Sequence, residues 1–373
     1  TLTLSANNTI ENVVGGSLGD TLTGNALTNR FTGGGGNDVL TGDAGNDIYV
    51  FDTDLALGSD TINEAGGGVD TLTFSPTTTR PVSIDLSNAG PQVVNDGLTL
   101  NLSSGSTIES VIGGSLNDTL TGNTLVNVLV GGPGNDTLTG GAGNDSYSFD
   151  TDLALGNDTI IDQSGVDTLD FSQTTTVSVT VDLSIATPQI VNAGLTLTLS
   201  AINSIENATG GSQSDILIGN SLANTLTGND GDDVLSGRAG NDILNGGNGK
   251  NILIGGNGAD QLTGGTSEDL LIGARYIDEN DITALAALRA EWTSASSFND
   301  RTGHLLGTLA GGLHEGFTLT RSTVKEDSSA DTLVGGSGRD WYLRNSLGTP
   351  TVFRDIITDA DLDSLFTEID TWF

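Results

Sequence analysis

Asp38 and Asp47 hold the same place in two consecutive blocks of nine residues, GGGGNDVLT and GDAGNDIYV, running from Gly33 to Val50. Asp20, Asp118, Asp136, Asp145, Asp215, Asp233, Asp242, Asp260 and Asp269 hold it in further blocks of the series that start at Gly15, Gly113 and Gly210. If two blocks make one coil, Asp20 and Asp38, eighteen residues apart, share an edge of neighbouring coils about 5 Å from each other. Bare carboxylates at that distance repel by about 3 kcal/mol at an effective dielectric of about 20. A Ca²⁺ ion between them reverses the sign, because it takes six to eight oxygens and both carboxylates and turn carbonyls supply them. Mg²⁺ suits such turns less well, since it demands octahedral geometry and keeps its water. The spacing therefore predicts multiple Ca²⁺ sites, each half-built by one coil and completed by the next.

The rest of the block is what must position those carboxylates. Glycine at the first, second and fourth places allows backbone conformations that a side chain forbids. The fifth place, often Asn, tolerates left-handed geometry and bonds its own backbone. After the Asp comes x-Leu-x, a three-residue strand with only its middle residue facing inward, flanked by Thr, Val or Ile that suit a strand. The second block of each series departs from this pattern. It carries Asn29, Asn127 or Asn224 at the Asp place and Leu27, Leu125 or Leu222 at the fourth. Those edges are expected either to close by hydrogen bonds or to bind Ca²⁺ poorly, and Asn251 is a similar gap in the longest series.

Composition agrees with a thin, repetitive core. The chain has 373 residues with 54 Gly and 5 % aromatics, too little bulk for one thick core. Its 48 acidic against 12 basic residues, net −36, leave no basic stripe for nucleic acid and disfavour unaided binding to anionic membranes. There is no Cys, which excludes disulfides and thiolate metal sites. No apolar run is long enough to span a bilayer. A longer period brings TIEN, TIES and SIEN back at Thr9, Thr107 and Ser204, spaced by 98 and 97 residues. Four segments follow, 1–98, 99–196, 197–272 and 273–373. The first starts partway into a unit and without Met, so the sequence reads as a piece of a longer array.

The in-register blocks resemble the RTX (repeat-in-toxin) calcium-binding nonapeptide. The resemblance implies an all-β fold, a parallel β-roll or β-helix solenoid with calcium between its turns, on a secreted protein ordered by extracellular Ca²⁺. It also implies an export signal for type I secretion near the C-terminus. Within residues 273–373, LAALRAEWTSA and DTLVGGSGRDWYL are similar to the tail of large calcium-binding surface proteins of planctomycete-type bacteria.

Between the block series, alternating residues such as Val82, Ile84 and Leu86, then Leu98, Leu100 and Leu102, predict wider coils that continue the solenoid; a small separate sandwich is the alternative. Asp52, Asp54 and Asp60 recur as Asp150, Asp152 and Asp158, either as another cation site or as acidic turns in solvent. After Ile272 a small α+β cap is expected. It contains a helix capped at Asn280 or Asp281 with Ile282, Leu285, Leu288 and Trp292 on one face, a strand in GFTLTRSTVKED, and a closing helix in DADLDSLFTEIDTWF.

Catalysis finds little footing. GGSLG at Gly15–Gly19 matches the nucleophile elbow only formally, because its Ser17 has only His304 and His314 as distant partners. Those two histidines lack a third ligand for zinc. The expectation is a calcium-binding structural segment of an extracellular fibre, surface layer or adhesin at the bacterial surface, able to self-associate. The alternatives are an accessory module of an enzyme or toxin, and an adhesin tip with a receptor or glycan site in 273–373.

Overall fold

The residues after each repeat Asp extend into a short strand because Thr, Val and Ile flank a central apolar residue that alone is turned inward. In Thr21–Thr23 and Val39–Thr41 only Leu22 and Leu40 are buried. The computed structural model describes residues 1–4, 10–64, 66–320, 322–325, 327, 329–344, 356–358 and 365–368. Two units emerge: Thr1–Phe149 with Leu153–Thr168 and Ala193–Ser204, and Asp150–Asp152 with Leu169–Asn192 and Ile205–Phe373.

In the first unit, successive strands alternate between parallel sheets, so two blocks make one coil. One ladder runs Leu22, Leu40, Ile62, Leu102 in register. The facing ladder runs Val13, Phe31, Tyr49, Leu72, Val111, Leu129, Tyr147. A further ladder pairs Ile84, Leu120, Leu138, Ile160 and Leu199. All these side chains are buried, and each contributes about 2 kcal/mol of apolar burial. The segments between block series thus supply rungs of the same ladders, as the wider-coil reading expects. One hairpin is added, since Pro91–Asn95 pairs antiparallel with Leu98–Leu102.

The second unit repeats the plan. Ala208, Leu226, Leu244, Leu262 and Leu333 form one ladder; Val181, Leu217, Leu235, Leu253, Leu271 and Tyr342 form the other. The step from Leu262 to Leu333 is unlike the rest. The roll leaves its path after Leu270–Ile272 and resumes at Thr332–Ser337 and Trp341–Arg344, stacked on the coil it left. The intervening chain carries helix α1 (Ile282–Trp292) and helix α2 (Phe298–Leu305).

The helices cover the outside of a sheet. Ile216–Ile218, Val234–Ser236, Ile252–Ile254 and Leu270–Ile272 are buried on both faces. Their outward residues Ile216, Ile218, Val234, Ile252, Ile254, Leu270 and Ile272 join one apolar cluster with Leu285, Leu288, Trp292, Phe298, Leu305 and Trp341. Asp281 is the N-cap of α1, accepting from the Thr283 and Ala284 amides. Leu285, Leu288 and Trp292 are buried as expected, whereas Ile282 is 40 % exposed and stands outside the apolar cluster.

Two expectations need correction. Among the described residues of GFTLTRSTVKED, the strand is shorter than expected, the two residues Val324–Lys325, antiparallel to Arg275–Tyr276. The expected closing helix is contradicted at Leu365–Glu368, a strand parallel to Trp341–Arg344, where the open edge of the sheet offers unpaired backbone groups that a strand satisfies. The rest of DADLDSLFTEIDTWF lies outside the described residues.

Candidate metal centres

Each repeat Asp closes onto the coil before it. The backbone N–H of Asp20 donates to Asp38 Oδ1 at 2.7 Å, and that of Asp38 donates to Asp60 Oδ1 at 2.9 Å. On the next edge Asn29 donates to Asp47 Oδ1 and Asp47 to Asp70 Oδ1, both at 2.7 Å. The same ladder passes from Asp118 through Asp136 to Asp158, and from Asn127 through Asp145 to Asp167. In the second unit it runs Asp215, Asp233, Asn251, Asp269, Asp340 and Asn224, Asp242, Asp260, Asp331. The last step of each spans 71 residues, so both ladders continue across the helical excursion.

One oxygen per carboxylate is thus spent on the backbone. The other, Oδ2, is buried with no hydrogen-bond partner in Asp38, Asp47, Asp136, Asp145, Asp233, Asp242 and Asp269, and also in Asp60. A buried carboxylate oxygen left bare is costly unless something positive meets it. The space in front of it is an oxygen-lined cradle at the glycine that opens the block. A Cβ on Gly228 would lie 2.2 Å from Asp233 Oδ2 and 2.6 Å from the Gly246 carbonyl of the next coil. One on Gly237 would lie 2.3 Å from Asp242 Oδ2 and 2.7 Å from the Gly255 carbonyl. Glycine is needed there because a side chain would fill the cradle. The donor set, carboxylate plus carbonyl from two coils, is that of a hard cation of calcium's size.

Burial also pushes these carboxyls up: Asp233 and Asp269 to about 8, Asp60, Asp136 and Asp158 to about 7, and Asp47, Asp145 and Asp242 to about 6. Loss of hydration is the leading cause, only partly offset by the amide that each Oδ1 accepts.

The eleven aspartates of the sequence pattern divide here. Asp118 accepts from Val82 N at Oδ1 and from Gly114 N at Oδ2, and Asp215 accepts likewise from Val179 and Gly211. Asp20, half-buried, gives Oδ2 to the Gly16 amide. These three close their own turns. Asp260 is buried within its ladder.

The Asn blocks close by hydrogen bonds. Asn127 Oδ1 accepts from Asn123 N at 2.7 Å, and its amide donates to Glu109 O at 3.1 Å. Asn224 does the same with Asn220 and Glu206 at 2.8 Å each, and Asn29 Oδ1 accepts from Asn25 N. Asn251 keeps its rung, taking the Asp233 amide on Oδ1.

The paired acidic segments split as well. Asp60 and Asp158 join the ladders. Asp54, half-buried, and Asp152, exposed, tie down threonine turns. Hydroxyls of Thr79 and Thr78, and of Thr176 and Thr175, hold their carboxyls well below the ordinary range. The pattern missed Asp70, Asp167 and Asp331 as rungs; Asp340 holds the sixth place of the isolated block GGSGRDWYL, which fits the nonapeptide. The signal of the three missed rungs was Asp-Thr-Leu: DTLTFS, DTLDFS and DTLVGG. Ser17 is exposed in a turn. His304 Nδ1 bonds Glu291 at 2.7 Å, while His314 Nε2 lies 3.0 Å from Gly311 O.

Parallel coils with oxygen cradles at their edges define a calcium-binding β-roll. The family model for the RTX calcium-binding nonapeptide repeat (4 copies) matches residues 14–50, 112–147, 209–244, 245–275 and 327–342. The chain carries RTX repeats, and these bind calcium. The last match covers the coil that resumes after the helices. A search of curated proteins found no match. Proteins with such repeats are typically secreted, and no described helix is long and apolar enough to cross a membrane.

Proposed function

We propose that this chain is a structural segment of a secreted bacterial protein, part of an extracellular fibre, surface layer or adhesin, that folds when it meets external calcium. The observation that carries the reading is the row of partnerless Asp Oδ2 atoms along edges of stacked coils. Such edges gain order only with cations between them. The net charge of −36 works in the same direction: with little free calcium, as in the cytosol, self-repulsion opposes compaction. In this reading the carboxylates are ligands and catalyse nothing. Exposed apolar side chains on the first unit, Val14, Leu18 and Val126 at 75 %, 78 % and 61 %, offer surface for self-association at the cell surface.

Sedimentation velocity in millimolar calcium tests the structural role. The expected result is concentration-dependent assembly that chelator reverses. A compact chain that stays monomeric at every concentration would contradict it and favour a module serving another domain.

A further inference from the structure

Two acidic side chains outside the nonapeptides return to the roll edge. Glu64 and Asp162 each follow a repeat aspartate, Asp47 and Asp145, by seventeen residues. Carboxylate oxygens of Asp47, Glu64 and Asp70 lie within 4.8 Å of one another, as do those of Asp145, Asp162 and Asp167, and all six residues are buried. Asp47 and Asp145 are 0 % and 1 % exposed, and the Oδ2 of each has no hydrogen-bond partner.

Both atoms are aimed into the cluster. A Cβ on Gly42 would lie 2.3 Å from Asp47 Oδ2, 2.3 Å from Glu64 Oε2 and 2.5 Å from Tyr49 Oη. One on Gly140 would lie 2.4 Å from Asp145 Oδ2, 2.4 Å from Tyr147 Oη and 3.0 Å from Asp162 Oδ2. A point so ringed by oxygen suits calcium, whose ligands sit at about 2.3–2.6 Å. The third carboxylate is held in place, since Tyr49 Oη donates to Glu64 Oε2 at 2.5 Å and Tyr147 Oη to Asp162 Oδ2 at 2.6 Å.

We propose that these two triads form a separate class of calcium site, tighter than the repeat edges and filled before them. This rests on the calcium reading of the repeats. Affinity rises with ligand charge and with site rigidity. The triads exceed the repeat edges in both, with three carboxylates in place of two and a tyrosine clamp on the added one. The geometry recurs with Glu in one copy and Asp in the other. It also survives a difference in the following loop, because Asp70 lies six residues after Glu64 and Asp167 five after Asp162.

Calorimetric titration of the full chain with calcium decides. The wild type is expected to show a tight class of two ions ahead of a weaker class. Glu64→Gln with Asp162→Asn should remove the tight class and leave the weaker one. A titration of this variant that superimposes on the wild type would overturn the proposal. A wild type that takes up no calcium would instead overturn the reading beneath it. Should the double variant fail to fold in calcium, Tyr49→Phe with Tyr147→Phe keeps every charge. It should weaken the tight class about tenfold or more, as loss of a ligand's supporting partner does, and an unchanged tight class would again overturn the proposal.

Discussion

A repeat aspartate does two jobs with two oxygens. Oδ1 binds the amide of the preceding coil, and Oδ2 is turned to the cradle at the block's first glycine. That division explains why Asp118 and Asp215 differ from Asp136 and Asp233 despite the same place in the block: their Oδ2 atoms already hold an amide. The place of each aspartate was legible from spacing. The use of its oxygens was not, because it depends on the neighbouring coil. Likewise, the Asn blocks tolerate Leu27, Leu125 and Leu222 at the fourth place because none of these adopts positive φ, whereas Gly36 and Gly258 do, at +122° and +141°.

Raised carboxyl pKa values have a definite consequence for the metal-free chain. A carboxyl whose folded pKa exceeds its ordinary value near 3.8 favours folding while protonated. That contribution is complete below about pH 4 and is lost as pH climbs through the folded values of about 6 to about 8. In chelator, the disordered chain should therefore gain β signal in circular dichroism as pH is lowered from 8 to 5. No gain on acidification would contradict the burial of these groups.

At the scale of elements, three residues per strand suffice because each strand shares its ladder with coils before and after it. The alternation of turn and strand was legible, and the segments between block series followed from their period-two patterning. Helix α1 was legible in its sequence, whereas α2 and the sheet face that the two helices cover were missed, although a signal existed. Strands of the exposed type read TLT, whereas those under the helices read ILI, VLS, ILI and LLI, and apolar flanks, on both sides in three of the four, call for a second cover. Trp292 anchors that cover. It is fully buried, 6.1 Å from Trp341 and 5.7 Å from Phe298 between ring centres, with the Arg301 guanidinium 4.8 Å above it. Its indole N–H donates to the Glu268 carbonyl at 3.1 Å. Trp292→Ala should cost about 3–5 kcal/mol in denaturant unfolding with calcium present. Leu309→Ala, at an exposed position, should stay within about 0.5 kcal/mol. Equal effects would show that the helices do not depend on this anchor.

At the scale of the whole molecule, charge and fold are two sides of one requirement. The ladders place carboxylates on successive coils of each unit, and the chain has few cations of its own to offset them: 12 Lys and Arg against 48 Asp and Glu. Calcium supplies the missing charge at the edges where bare Oδ2 atoms wait. Metal is therefore expected to decide whether the roll forms. The most direct test is far-UV circular dichroism of the full chain at pH 8, first stripped of metal and checked by elemental analysis, then given millimolar calcium at constant ionic strength. The expected result is a disordered spectrum that converts to a β spectrum with calcium and returns with chelator. A β spectrum in the metal-free sample, unchanged by calcium, would contradict it.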